Sequence, residues 1–206
     1  MRLFYSPTSP YVRKVQMTAI EKGLGERLTL IPCNAYAPAP DLWAANPLGR
    51  VPTLVLDDGT ALFDSPVICD WLDAAGSGPG LLPPAGSERW TVLRAQALAD
   101  GVMDDAVAVV MGRRRPGQDP ALEASALEAS ALAAVGRGLD WLEGQPQAWT
   151  GGLDLGQIAI ACALGYLDFR LPELCWGQTR PGLSAWYADF AKRGSFRTTG
   201  PQQPPA

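Results

Sequence analysis

Between Asn46 and Asp70 the chain reads NPLGRVPTLVLDDGTALFDSPVICD. Thr53 to Leu56 is an apolar run that predicts a buried strand. Asp57-Asp58-Gly59 has the chemistry of a tight turn, and Ala61 to Phe63 predicts the returning strand of a hairpin. Pro52 heads the first strand, where its missing N–H costs the ladder little. Ser65-Pro66 predicts a helix start, with the serine as N-cap and proline at the first helical position. Val51-Pro52 and Asp64-Ser65 are therefore expected at the same end of one hairpin.

Upstream, Arg2 to Tyr5 predicts a short strand, Ser6 to Pro10 a turn, and Tyr11 to Gly23 a helix ended by Gly23 and Gly25. Val12, Val15, Met17, Ala19 and Ile20 mostly favour one side of that helix. Leu28 to Ile31 predicts the next strand and Asp41 to Ala45 a short helix. The resulting order is β-α-β-α-β-β-α, with the last strand pair antiparallel. With the two hairpin features, it resembles the glutathione-binding half of the cytosolic glutathione transferase family, whose first domain is α/β and thioredoxin-like. Ser9-Pro10-Tyr11 stands where relatives of that fold carry a reactive-site motif, often Cys-Pro-Tyr or Cys-Pro-Phe. The resemblance covers essentially the whole chain and is most specific up to about residue 75.

The resemblance implies that Pro52 is cis and that Val51 turns its main-chain N–H and C=O toward the cysteinyl backbone of glutathione, a form of β-augmentation. It also implies that Asp64 and Ser65 hold the γ-glutamyl end. A hydroxyl and helix N-terminal N–H groups suit a carboxylate, and an aspartate suits an ammonium. Arg50, directly before Val51, is a candidate for the glycyl carboxylate. Ser9 is the candidate catalytic residue, donating a hydrogen bond to the glutathione sulfur and keeping it ionised; Ser6 and Thr8 are alternative hydroxyls. Lowering a thiol pKa of about 8.5 by two units takes about 2.7 kcal/mol. A charge-assisted hydrogen bond supplies roughly 1.5–3 kcal/mol, and a helix N-terminus up to about 2 kcal/mol. No general base is needed, which suits a chain with no histidine. Ser9 as a simple helix cap is the competing reading.

The lack of histidine excludes Ser-His-Asp and Cys-His catalysis and His-based zinc helices. Cys33, Cys69, Cys162 and Cys175 have no metal-ligand spacing, so no metal is expected; Cys69 and Cys162 read as small core residues. No phosphate-cradling glycine loop is present. A net charge of −4 argues against a nucleic-acid partner. Arg113-Arg-Arg115 is the one basic cluster and reads as a solvated helix end. No apolar run approaches membrane-spanning length, and Met1 leads straight into a strand. With unpaired cysteines this points to the cytoplasm.

The expected boundaries are a thioredoxin-like domain over 1–77, a linker over 78–86, an all-helical domain over 87–200, and a mobile proline-rich tail over 201–206. After Ser87 and Glu88, a helical period through Trp90, Leu93, Ala97, Leu98, Val102, Met103, Val107 and Val110 predicts a long helix to Met111. Pro116-Gly117 breaks it. A second helix is expected from Pro120 to Glu143, with Leu122, Leu127, Leu132, Val135, Leu139 and Leu142 as its core stripe. A third starts near Asp154, where Asp154 and Gln157 have capping-box form, and a short one covers Gly182 to Ala191.

By resemblance, Tyr11, Met103, Asp104, Val107, Met111 and Arg113 line a second-substrate pocket between the domains. The chain then reads as a homodimeric glutathione transferase that conjugates glutathione, its co-substrate, to a small and mainly apolar electrophile, as in detoxification. A glutathione-dependent disulfide reductase or peroxidase, and a non-catalytic interaction protein of the same fold, are the alternatives.

Overall fold

The computed structural model describes residues 1–34, 40–114 and 122–201, with the side chains of 122–125 excepted. Arg115, the Pro116-Gly117 break, the helix start at Pro120, Leu122 as a core side chain and the tail from Gln202 lie outside that description. The chain divides into two compact units, Met1–Pro83 together with the segment from Lys192, and Pro84–Ala191.

The first unit is built on a four-stranded sheet. Its elements are β1 (Arg2–Tyr5), α1 (Pro10–Glu21), a 3-10 turn (Gly25–Arg27), β2 (Thr29–Pro32), α2 (Pro40–Ala45), β3 (Thr53–Val55), β4 (Ala61–Leu62) and α3 (Ser65–Ala75). The strand order is β2-β1-β3-β4, with β1 parallel to β2 and the other neighbours antiparallel. Leu3 sits opposite both Leu30 and Leu54, which places the centre of β1 at the centre of the sheet. Leu3, Phe4, Leu54 and Val55 are buried, as expected where helices cover both faces. The hairpin turn closes as its residues predict. Leu56 N–H donates to the Thr60 carbonyl at 2.8 Å, Gly59 takes φ +90°, and the Asp58 carboxylate accepts from Thr60 N–H at 2.8 Å.

The α3 helix runs into a segment that is held rather than loose. Lys22 Nζ lies 3.0 Å from Asp73 Oδ1 and donates to the Pro79 carbonyl at 2.9 Å. The same aspartate accepts from the N–H groups of Leu81 and Leu82 at 2.8 and 2.9 Å. The expected linker is thus anchored to the first unit up to Leu82, by a buried ion pair whose hydrogen bonds satisfy both charges.

The second unit consists of α4 (Gly86–Arg113), α5 (Leu122–Glu143), α6 (Leu155–Arg170) and α7 (Pro181–Phe190), with short 3-10 turns between them. Every residue of α6 from Leu155 to Leu167 is buried, Cys162 included. At its start the Asp154 carboxylate accepts from Gln157 N–H at 2.8 Å. The Gln157 amide donates to the Gly152 carbonyl at 2.8 Å, so only half of a reciprocal capping box forms.

The core face of α4 is only partly the one predicted. Val102, Met103 and Val110 are buried as expected, but Trp90 is 66% exposed and Leu93 and Leu98 are half-buried, whereas Val92, Ala95, Ala99 and Ala106 are buried. The reason is close approach to α6. A Cβ built on Gly156 meets the Ala95 Cβ at 2.9 Å and the Val92 carbonyl oxygen at 3.0 Å, so only small residues fit at the crossing. On α5 the core stripe runs from Leu132 through Val135, Leu139 and Leu142, while Leu127 is 73% exposed.

The segment after α7 carries one more helix, α8 (Gly194–Thr198). It belongs to the first unit rather than to the helical region assigned over 87–200. Polar contacts to α1 hold it there. Arg193 Nη2 lies 3.0 Å from Glu21 Oε2, Ser195 Oγ donates to Glu21 Oε1 at 2.5 Å, and Arg13 Nη2 donates to the Phe196 carbonyl at 2.8 Å.

Candidate functional site

Ser9 is the N-cap of α1, with Pro10 beginning the helix. Its backbone is extended (φ −77°, ψ 123°) and its Oγ accepts from Val12 N–H at 3.3 Å. A serine hydroxyl has one donor proton and two acceptor lone pairs. Capping uses an acceptor, which leaves the proton available to an anion, so capping and sulfur stabilisation are compatible roles for one side chain. Ser6, Thr8 and Ser9 are all half-buried, as are Tyr5 and Tyr11. Ser6 is tied to the same turn, its carbonyl accepting from Ser9 N–H at 3.2 Å.

The Val51–Pro52 peptide bond is cis, as the resemblance implied. Pro52 is buried and Val51 half-buried. Among the described residues, neither the N–H nor the C=O of Val51 takes part in a hydrogen bond, although both flank a sheet in which such groups are ordinarily paired. The loop before Val51 is fixed from within. Asn46, itself buried, donates through Nδ2 to the Arg50 carbonyl at 3.2 Å and to Thr53 Oγ1 at 3.0 Å. Its Oδ1 accepts from Leu48 N–H at 3.0 Å. Thr53 Oγ1 in turn donates to the Arg50 carbonyl at 2.8 Å, and Gly49 takes φ +61° to make the turn. Asn46 and Thr53 are site-shaping residues that motif reading passes over; an asparagine heading a Pro-x-Gly loop was the available signal. Arg50 has its carbonyl engaged in this way and its residue exposed.

At the head of α3 the cap falls one residue earlier than the Ser-Pro pair predicts. Asp64 is the N-cap, its carboxylate accepting from Ser65 N–H, and Ser65 is the first helical residue. Aspartate wins because it caps as well as serine does and carries a full charge at the positive end of the helix. The displacement frees the serine. Ser65 is 1% exposed and, among the described residues, its Oγ has no hydrogen-bond partner. The Phe63–Asp64 peptide bond is also cis.

Cys33, at the end of β2, packs with Val51 against the cluster of Phe4, Leu42 and Val55. Burial pushes its thiol above the ordinary value, with a smaller opposing effect from its hydrogen bond at Tyr5. That direction works against thiolate formation at Cys33.

The second-substrate candidates lie in different environments. Met103 is fully buried, Val107 and Met111 are half-buried, and Asp104 and Arg113 are exposed on α4. The Arg113 guanidinium pairs with Glu128 at 2.8 Å and Glu173 at 2.5 Å. Tyr11 is the second residue of α1, in the other unit. Among the described residues no cluster of acidic, cysteine or histidine side chains has metal-binding form, and no helix is long and apolar enough to cross a membrane.

Comparison with known proteins agrees with this architecture over nearly the full length. Residues 8–75 match the N-terminal domain of glutathione S-transferases and residues 96–189 match the C-terminal domain. The uncharacterized GST-like protein YibF of Escherichia coli is 36% identical over 205 residues, 98% of each chain. A glutathione transferase family member from Pseudomonas fluorescens Pf-5, solved with bound glutathione, superposes with a TM-score of 0.93 at 40% identity, covering 98% of this chain and 99% of that one. A second structure of a family member from that organism holds S-(propanoic acid)-glutathione, with a TM-score of 0.89 at 39% identity over 98% and 100% of the two chains. With both domain types matched in order, on a thioredoxin-like sheet followed by helices, the chain belongs to the glutathione S-transferase family.

Proposed function

We propose that this protein is a glutathione transferase, joining the glutathione thiolate to a small, mainly apolar electrophile. The observation that carries the reading is the orphaned Ser65 Oγ: a buried hydroxyl without a partner among the described residues, beside the Asp64 carboxylate at a helix N-terminus. Leaving such a group unpaired costs roughly 1–3 kcal/mol, and a ligand carboxylate removes the penalty. Asp64 then takes the γ-glutamyl ammonium. The main-chain groups of Val51, unpaired among the described residues and beside cis-Pro52, receive the cysteinyl backbone, Arg50 takes the glycyl carboxylate, and Ser9 donates its hydroxyl proton to the sulfur.

The electrophile is proposed to use Tyr11, Met103, Asp104, Val107, Met111 and Arg113. Val107 and Met111 contribute the accessible apolar surface, because Met103 is buried and Arg113 is already paired. By family resemblance the protein works as a cytoplasmic homodimer, which sedimentation reads as twice the chain mass. Titration calorimetry with glutathione, and conjugation assays over a panel of small electrophiles, test the assignment. Ser9→Ala is expected to keep glutathione affinity within a few fold and to lose about 10–100-fold in conjugation rate at pH 7, the effect of returning a thiol pKa by one to two units. Absence of glutathione binding removes the proposal. Turnover of disulfides by a Ser9→Ala protein that conjugates nothing replaces it with a reductase.

A further inference from the structure

Arg13 is a buried cation one turn into α1, and it is held by the far end of the chain. Its guanidinium donates to the Phe196 carbonyl at 2.8 Å and lies 3.6 Å over the centre of the Phe196 ring. Both contacts come from α8, which Glu21 fixes independently through Arg193 and Ser195. Arg13 is 7% exposed, and it sits near the positive end of a helix whose first turn contains no acidic residue.

We propose that Arg13, oriented by Phe196, is a positioning residue that sets positive charge beside the sulfur held at Ser9. The proposal rests on the glutathione reading of Ser9. Arg13 follows Ser9 by four residues, so the two share one face of α1, about 6 Å apart along the axis. Long helical side chains lean toward the N-terminus and cover the preceding turn, which for Arg13 is the turn opened by Ser9. The Arg13 N–H donates to the Ser9 carbonyl at 3.1 Å, so the same residue also closes that turn. A buried charge carried on the turn next to Ser9 is weakly screened and favours thiolate over thiol. The Phe196 ring and carbonyl keep the guanidinium from swinging into water. The C-terminal helix is in this way part of the apparatus of a site formed by the first residues of the chain.

The test reads the ultraviolet absorbance of bound thiolate at pH 7, with glutathione saturating, alongside calorimetric affinity for S-methylglutathione, which has no thiol to ionise. Arg13→Gln is expected to bind S-methylglutathione within a few fold of wild type while its thiolate-to-thiol ratio falls about tenfold. Arg13→Lys is expected to recover most of that ratio, and Phe196→Ala to lose about threefold with the charge still present. Arg13→Gln with an undiminished ratio overturns the proposal. If Arg13→Gln does not fold, Phe196→Ala decides, and an unchanged ratio there overturns it as well. Wild-type protein that binds neither ligand brings down the glutathione reading itself, whereas binding with an Arg13-independent ratio brings down only this inference.

Discussion

Under the proposed function, Ser65 separates the demands of folding from those of binding. Its Oγ is buried and makes no hydrogen bond to the described residues, while the Asp64 carboxylate does the capping. Removing an unsatisfied hydroxyl relieves a desolvation penalty, so Ser65→Ala is expected to leave the unliganded protein as stable as wild type or up to about 1 kcal/mol more stable. Urea denaturation reads that difference. The same change is expected to weaken glutathione about 10–100-fold, because a hydrogen bond to a charged group contributes about 1.5–3 kcal/mol. A variant that loses stability and affinity together contradicts the division of labour between the two residues. The Ser-Pro pair made Ser65 visible in the sequence, but its role depends on a competition between neighbouring caps. That competition turns on one residue of register, which composition and spacing do not encode. Asn46 was harder to see, since its three polar contacts all go to a loop whose shape exists only once Val51–Pro52 and Thr53 are in place.

At the scale of elements, the helices of the second unit show where hydrophobic periodicity misleads. Large residues such as Trp90 and Leu93 set the apparent phase of α4, but the tight crossing with α6 selects Ala95, Ala99 and Ala106 for the buried face. Pattern reading weights size, and close helix packing rewards its absence. Gly156→Ala is therefore expected to cost about 1–3 kcal/mol by overpacking; the Val92 carbonyl in its way is backbone and cannot rotate aside. Two carboxylates that anchor helices respond to pH with opposite signs. Burial pushes Glu21 up, but hydrogen bonds from Arg193 and Ser195, with the Arg193 charge, more than offset it and hold its carboxyl below the usual value. Its stabilisation is present above the unfolded value of about 4.3 and is lost as pH falls through the lower folded value. Burial pushes Asp154 up, only partly opposed by the N–H groups of Gln157 and Gly156. Its contribution is full below about 3.9 and is lost as pH rises through the higher folded value. Glu21→Gln is expected to flatten the acid limb of stability against pH. Asp154→Asn, which keeps a capping oxygen, is expected to gain on wild type between pH 3 and pH 7. Thermal melts across that range check both signs, and parallel behaviour of the two variants refutes the assignment.

For the whole molecule, the order of elements and all five proposed glutathione contacts could be read from roughly the first 75 residues, because turns, caps and prolines are local chemistry. The attachment of α8 could not. It depends on Arg13 and Glu21 meeting Phe196, Arg193 and Ser195 from more than 170 positions away, and no local pattern in a five-residue helix announces such a contact. Under the proposed function this distribution of residues gives glutathione a specific thermal signature. Ser9, Arg50, Val51, Asp64 and Ser65 all lie in the first unit, so ligand at the proposed site would stabilise that unit. Ligand at a hundredfold its dissociation constant stabilises the state that binds it by about 2.7 kcal/mol. For a chain of this size that corresponds to a rise of roughly 5–10 °C in the melting midpoint. Calorimetric scans in buffered glutathione are expected to show the full rise if the chain melts in one transition. If the two units melt separately, only the transition that includes the first unit moves. Ser65→Ala, about tenfold or more weaker in binding, is expected to lose about half of that rise at the same glutathione concentration, since each tenfold in affinity is worth about 1.4 kcal/mol. A transition indifferent to glutathione in both proteins rules out the site, whereas an equal rise in both leaves glutathione bound but removes Ser65 from its grip.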